Sequence, residues 1–446
     1  MRKFLRKIIN SIKLSRILFI YSLCTLSFAY GYLSYTNGWF PHKLIVQAIV
    51  FIDEINDLNL SEHYVKTDFT KTIPSYEEES AYNGLSIVTS RIENRKVAVR
   101  VIDMEGELIH RWDPVWFDLW PDATHIPKSA RDHPKFRPTK QIHGVLLLEN
   151  GDLIFNFEYL GMIRLDICGN VIWRLPYRTH HSLYLDEHDN IWVPGRIIHD
   201  EPHQDLPYHE PPIIEPTVLK VSLDGKIIRE ISVFEILMEN DLEGLLYLSS
   251  LGNEEVSVTG DTMHLNETFP SYLAEGVFKT GDIMLSLRNI NTILVFSEEE
   301  LKATHVSTGK FVRQHDPDFI DGNRISVFDN HNIGPRDSGH QSRILIDSFD
   351  KEGQSRVYYS GNEEEPFYSS ILGNHQWLPN GNLLITESME GRAFEVDQQG
   401  NIVWEYVNII RPGYAGIVED VQRLPSLFTK QYFNQLSSQC NTEYEY

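Results

Sequence analysis

His375-Gln-Trp-Leu-Pro-Asn-Gly-Asn-Leu-Leu-Ile opens a stretch that closes on Ala393-Phe-Glu-Val-Asp-Gln-Gln-Gly-Asn-Ile-Val-Trp404. It reads as a short strand, an Asn-Gly turn, two further strands and a hairpin ending in tryptophan. An earlier stretch repeats the pattern. It begins His143-Gly-Val-Leu-Leu-Leu-Glu-Asn-Gly-Asp-Leu-Ile and ends Ile163-Arg-Leu-Asp-Ile-Cys-Gly-Asn-Val-Ile-Trp173. Four strands in about 32 residues is the size of one propeller blade. The spacing therefore predicts an all-β chain, a β-propeller over residues 85–410. Units start near Leu85, His143, His181, His264, His315 and His375. Six blades fit these starts, with five or seven also compatible.

Most units open on a histidine. The innermost strand of a blade lines the central channel, so histidines in register converge at one channel mouth. Taken singly, each is as well explained as a strand cap; taken together they predict a histidine-lined site. The Pro- and His-rich insertion from His199 to Pro216 reads as a solvated loop. The apolar run Phe234–Leu251 reads as helical, and residues 411–446 as a C-terminal tail.

The N-terminus has a different character. Six bases (Arg2, Lys3, Arg6, Lys7, Lys13 and Arg16) form a leader over residues 1–16. Ile17 to Tyr35 then carries no charge, about 28 Å as a helix and close to the thickness of a bilayer core. The expectation is a cytoplasmic leader and a single transmembrane anchor at 17–35, the remainder lying on the periplasmic side of an inner membrane. A cleaved signal peptide is the alternative. Residues 36–84 read as a juxtamembrane helix and linker, with Ile45, Ile49, Ile52 and Ile55 at helical spacing. That helix packs on the domain or pairs with a second copy as a homo-oligomer.

Across 446 residues there are 63 acids against 40 bases, which argues against a nucleic-acid partner. An anionic ligand therefore needs a local positive pocket. The three cysteines, Cys24, Cys168 and Cys440, lie far apart and suggest neither a disulfide framework nor a zinc site. Neither a metal nor a cofactor is expected.

Five motifs carry a resemblance. They are Asp261-Thr-Met-His-Leu-Asn266, Asp282-Ile-Met-Leu-Ser-Leu-Arg-Asn-Ile-Asn-Thr-Ile293 and Gln314-His-Asp-Pro-Asp-Phe-Ile-Asp-Gly-Asn-Arg-Ile-Ser-Val-Phe-Asp-Asn330, with Thr179-His-His-Ser-Leu and Gly391-Arg-Ala-Phe-Glu-Val. The order His-x-Asn, Ser-x-Arg, Gln-His and Phe-Asp-Asn resembles the bacterial arylsulfotransferases over roughly Leu85 to Tyr406. The resemblance implies a six-bladed propeller that moves a sulfuryl group from an aryl sulfate to a phenol without a nucleotide donor. It further implies His315 as the sulfated nucleophile, His264 as acid and base, Arg288 as a clamp on the sulfuryl oxygens and His181 as a further active-site histidine. His180, Asn266 and His375 are expected to bind substrate, with His143 a weaker candidate. Asp316 either orients the His315 imidazole or holds the turn. The chain departs from the family pattern at Asn289, where a histidine is expected, and lacks the paired cysteines some members carry. The competing readings are a non-catalytic, membrane-anchored propeller that binds a protein or ligand at its channel mouth, a sulfatase, and a quinoprotein dehydrogenase.

Overall fold

The computed structural model describes residues 2–37, 39–40, 42, 64–93, 96–126, 141–248, 258–273, 275–334, 339–349 and 353–440. Two compact units are present: residues 1–60 with 128–131, and residues 61–127 with 132–446.

In the first unit, a helix runs Arg2–Asn37. The anchor expected at 17–35 falls inside it. Leu18, Phe19, Ile20, Leu23, Leu26 and Phe28 are exposed. Among the described residues, however, no helix is long and apolar enough to cross a membrane, so the expected anchor has no support here. Most of the expected juxtamembrane helix, 43–63, lies outside the described residues.

Among the described residues the second unit contains six blades, antiparallel apart from one added parallel strand in blade 3, and a separate three-stranded sheet. From the axis outward, blade 2 is Ile142–Leu147, Leu153–Phe157, Gly161–Leu165 and Val171–Leu175. Blade 3 begins with Tyr184–Leu185, blade 4 with Leu265–Pro270, blade 5 with His315–Asp321 and blade 6 with Asn374–Trp377. Blade 1 takes its innermost strand, Val418–Arg423, from the far end of the chain and pairs it with Ser86–Arg91. The segment expected to be a tail thus closes the ring, and Leu85 opens the second strand of its blade rather than the first. A lone strand pattern does not reveal a partner more than 300 residues away, which is why the tail reading failed.

Apolar cores fill the interfaces between neighbouring blades from blade 2 through blade 6 and between blades 6 and 1. Ile154 and Met162 of blade 2 pack with Ile191, Val193 and Leu219 of blade 3; Phe328 and Ile344 of blade 5 pack with Ile385 and Phe394 of blade 6. The repeated Asp-x-x-x-Asn turns have one cause. The Oδ1 atoms of Asp166, Asp186 and Asp397 each accept backbone N–H bonds from the residues two and four positions on, at 2.8 to 2.9 Å. Asparagine amides staple neighbouring blades. Asn156 Nδ2 donates to His181 O, Asn266 Nδ2 to Gln314 O and Asn408 Nδ2 to Arg91 O. At the closing seam, Arg423 and Glu395 form a fully buried ion pair at 3.0 Å. Removing one partner of such a pair costs roughly 3–5 kcal/mol.

One further correction concerns the insertions, and one reading of them holds over the described residues. Residues 199–216 lie largely in a hairpin extension of blade 3, formed by Asn190–His199 and His209–Ser222, rather than in a solvated loop. Its polar groups are held locally: His199 Nε2 lies 2.6 Å from Glu215, and His209 packs against Tyr247. The apolar run after it forms a short helix, Val233–Glu239, and a 3-10 turn, Glu243–Tyr247.

Although the three cysteines suggested no disulfide framework, Cys168 and Cys440 form a disulfide across a sequence separation of 272 residues. It ties the end of the chain, beyond the helix Lys430–Ser437, to the outer hairpin of blade 2. A cross-link closing so long a loop restricts the unfolded chain and stabilises a domain by about 2–4 kcal/mol. Cys440→Ser is therefore expected to lower the thermal midpoint by several degrees in non-reducing buffer and to abolish the effect of added reductant. An unchanged midpoint contradicts the bond.

Candidate active site

The innermost strands do not start regularly. In blade 2 the pairing jumps from His143 to Val145, in blade 4 from Leu265 to Glu267, in blade 5 from His315 to Pro317 and in blade 1 from Val418 to Asp420. Each jump is a one-residue bulge, so Gly144, Asn266, Asp316 and Glu419 have no opposite number. A bulge bends its strand and re-aims side chains. All four residues line one cavity of about 350 Å³ where the six innermost strands meet. The backbone is forced as well: His181, His264 and Asp316 adopt φ of 55°, 53° and 46°. Non-glycine residues in this left-handed region are uncommon and concentrate at functional sites. Gly144 has φ 65°, and a Cβ there would sit 2.0 Å from His181 O, so glycine is what allows these two bends to meet.

Around these bends the histidines gather. The His181 ring centre lies 4.7 Å from that of His143, 5.2 Å from His264 and 6.4 Å from His315. His180 lies behind it, its Nδ1 2.7 Å from His181 Nδ1. His143, His181, His315, His375 and Asn266 line the cavity; His180, His264 and Arg288 are not among its lining residues, His180 and His264 packing on the His181 ring and the Arg288 backbone N–H bonding His264 O. His143, the weaker candidate, is thus an equal member of the cluster, its Nε2 3.3 Å from Glu419.

His315 is the most tightly specified. Asn330 Nδ2 donates to Ser369 O and Leu372 O, which fixes the orientation of its amide. Its Oδ1 must then accept, and it lies 2.6 Å from His315 Nδ1. His315 therefore carries its proton on Nδ1 and leaves the Nε2 lone pair for the cavity. Burial, reinforced by the positive charge of Arg288, pushes this imidazole well below its ordinary range, so it is neutral at pH 7. Burial and the neighbouring histidines do the same to His181. Asp316 does not orient His315; it accepts the His375 backbone N–H and faces His375 Nδ1 at 2.8 Å.

His264 Nδ1 lies 2.7 Å from Asp261 Oδ2, while Asp261 Oδ1 accepts the His264 backbone N–H. Burial opposes ionisation of Asp261, but the His264 contacts outweigh it and hold the carboxyl below its usual range. Arg288 forms no ion pair among the described residues. Its Nη1 donates to Asn289 Oδ1, which also accepts from Arg313, and its buried Nε has no partner. Asn289, where a histidine was expected, thus holds two guanidinium groups in place.

Sequence reasoning missed the opposite wall. Glu267, Asp318, Glu419 and Asp420 all face the cavity, and only Asn266 and Asp316, their neighbours, had drawn attention. Asp316, Asp318 and His375 bring potential metal-ligand atoms within 4.8 Å of one another. Asp316 already accepts the His375 backbone N–H and His375 Nε2 bonds Ser326 Oγ at 2.7 Å, although His375 Nδ1, 2.8 Å from Asp316, makes no hydrogen bond among the described residues. His199, His203 and His209 do not join any such cluster among the described residues.

The tautomer assignment is directly measurable. In a histidine-ring NMR titration, His315 is expected to keep a neutral, Nδ1-protonated pattern as pH falls through about 6.5, the ordinary imidazole midpoint. A proton on Nε2 at neutral pH contradicts the assignment.

The arylsulfotransferase (ASST) family model matches residues 144–409. No curated protein matches the chain. Among solved structures, a Bacteroides caccae protein of unknown function is similar at 10% identity and a TM-score of 0.46, covering 76% of this chain and 98% of that one. The Cps50 (Swd1) β-propeller domain of Myceliophteria thermophila is similar at 8% identity and a TM-score of 0.40, covering 78% and 100%. Virginiamycin B lyase from Staphylococcus aureus is similar at 11% identity and a TM-score of 0.33, covering 65% and 86%. The family match spans more than half of the chain and contains His181, His264, Arg288, His315 and His375, so the chain belongs to the arylsulfotransferase family.

Proposed function

We propose that the propeller transfers a sulfuryl group from an aryl sulfate ester to a phenol through a sulfated His315. The observation that carries this reading is the Asn330-fixed tautomer, which presents the Nε2 lone pair of a neutral, buried imidazole next to an arginine without an ion pair.

In the first step, Nε2 of His315 attacks sulfur in line with the aryl oxygen. The S–O bond breaks, and its electron pair leaves on the phenolate, which takes a proton from Nε2 of His264. Asp261, bonded to the other nitrogen of that ring, fixes the ring's orientation and leaves Nε2 to exchange the proton. Arg288 offers fixed donors to the sulfuryl oxygens. Catalysis of this kind rests mainly on positioning and charge, as in phosphoryl transfer. His181 serves as a second donor: if His180 Nδ1–H donates to His181 Nδ1, the proton of His181 lies on Nε2. In the second step, the acceptor phenol gives its proton to His264 and its oxygen attacks sulfur. The N–S bond then breaks and returns its pair to His315. No nucleotide donor enters this scheme.

We further propose an extracytoplasmic location. The Cys168–Cys440 disulfide supports it, because such bonds persist mainly in oxidising compartments.

Steady-state rates with varied 4-nitrophenyl sulfate and phenol are expected to give parallel double-reciprocal lines, the pattern of double displacement. His315→Ala is expected to reduce transfer by at least about 10³-fold, the scale seen when a covalent nucleophile is lost. Intersecting lines with retained activity in the variant contradict the scheme, and release of free sulfate without acceptor favours a sulfatase.

A further inference from the structure

The part of the cavity lining around His375 and His143 is acidic and has too few counter-charges. Glu267, Asp316, Asp318, Glu419 and Asp420 line the cavity, and its lining includes neither lysine nor arginine. Two of the five carboxylates have an imidazole at short range: Asp316 faces His375 at 2.8 Å, and Glu419 faces His143 at 3.3 Å. Asp318 lies 3.7 Å from the same His375. Asp420 accepts from the neutral amide of Gln422, and Glu267 has no ion pair among the described residues.

Beside Glu419 Oε2, which meets His143 only at 3.3 Å, two acceptor atoms on this wall are left over among the described residues. Glu267 is 4% exposed; Ser182 and Tyr184 hydrogen-bond its carboxyl, yet its Oε1 has no partner among the described residues. Asn266 is 2% exposed; its Nδ2 is committed to Gln314 O, which leaves its Oδ1 as an unpaired acceptor. Buried acceptors without donors are costly, and neighbouring ones in a cavity call for a donor from outside the chain. Burial and mutual repulsion push Glu267 and Asp318 well above the usual carboxyl range and Asp420 up to about 6. The wall resists full ionisation while the cavity holds no cation, and a cation there relieves it.

We infer that the phenolic acceptor is an aryl-alkyl amine, its hydroxyl at His315 and its ammonium group against Glu267, Asp318 and the Asn266 carbonyl. An ammonium has three donors in a compact charge, which suits two orphaned acceptors and an under-compensated carboxylate pair. A divalent metal suits the wall less well, because its most ligand-like trio, Asp316, Asp318 and His375, is already engaged internally. This inference rests on the sulfuryl-transfer reading above.

The test uses the full chain with 4-nitrophenyl sulfate as donor and three acceptors of matched size: tyramine, 4-propylphenol and 3-(4-hydroxyphenyl)propanoate. At pH 7 the expected order of kcat/KM is tyramine, then the neutral phenol, then the carboxylate, with about tenfold or more between the first two for a buried charge pair. Glu267→Gln is expected to collapse the ratio of tyramine to 4-propylphenol towards one. The wild-type ratio stands without the variant if the variant fails to fold. A neutral phenol that equals or outperforms tyramine overturns the inference and leaves sulfuryl transfer intact. If none of the three acceptors, nor phenol itself, accepts the group, both readings fall.

Discussion

Four one-residue bulges, at Gly144, Asn266, Asp316 and Glu419, govern this molecule. A closed ring of blades brings the first residues of six innermost strands to one axis, but regular strands would alternate their side chains between the two sides of each sheet. An extra residue breaks that alternation at the place where the strands converge. The bulges turn Asn266, Asp316 and Glu419 into the cavity and let Gly144 pass beneath His181. Ring closure by Val418–Arg423 is part of the same constraint, because Glu419 and Asp420 reach the cavity only on that strand.

Within this frame, charge is divided between two walls. On one, burial keeps His181 and His315 neutral, and Arg288 has no ion pair among the described residues. On the other, carboxylates crowd around His375, whose pKa is raised: burial lowers it, but Asp316 and Asp318 together more than compensate. The chain as a whole is strongly acidic, so an anionic ester needs the local positive charge that Arg288 and its neighbour Arg313 supply. A small cavity with opposite demands at its two ends orients a ligand as well as holding it.

Much of this was legible from the chain. The two units sharing an Asp-x-x-Gly-Asn turn and a closing tryptophan announced the blade, because the turn is local chemistry between Asp166 or Asp397 and the amides that follow. Histidines at the starts of units predicted convergence, which His143, His181, His264 and His315 fulfil. What escaped was non-local. The pairing of Val418–Arg423 with Ser86–Arg91, the disulfide from Cys168 to Cys440 and the bond from Asn330 to His315 each depend on the closed ring or on a neighbouring loop. The acidic wall escaped for another reason. Glu267, Asp318 and Asp420 look like ordinary solvent-facing positions of edge strands in an acidic sequence, and only the bulges before them show which way they face.

The central claim is that a nitrogen of one imidazole takes the sulfuryl group. Peptide-level mass spectrometry after exposure of the protein to 4-nitrophenyl sulfate, with no acceptor present, addresses it most directly. One sulfuryl group is expected on the peptide containing His315, labile in acid and discharged when a phenol is added. A chain that turns over donor and acceptor while His315 remains unmodified, or that carries the group on another residue, contradicts the account.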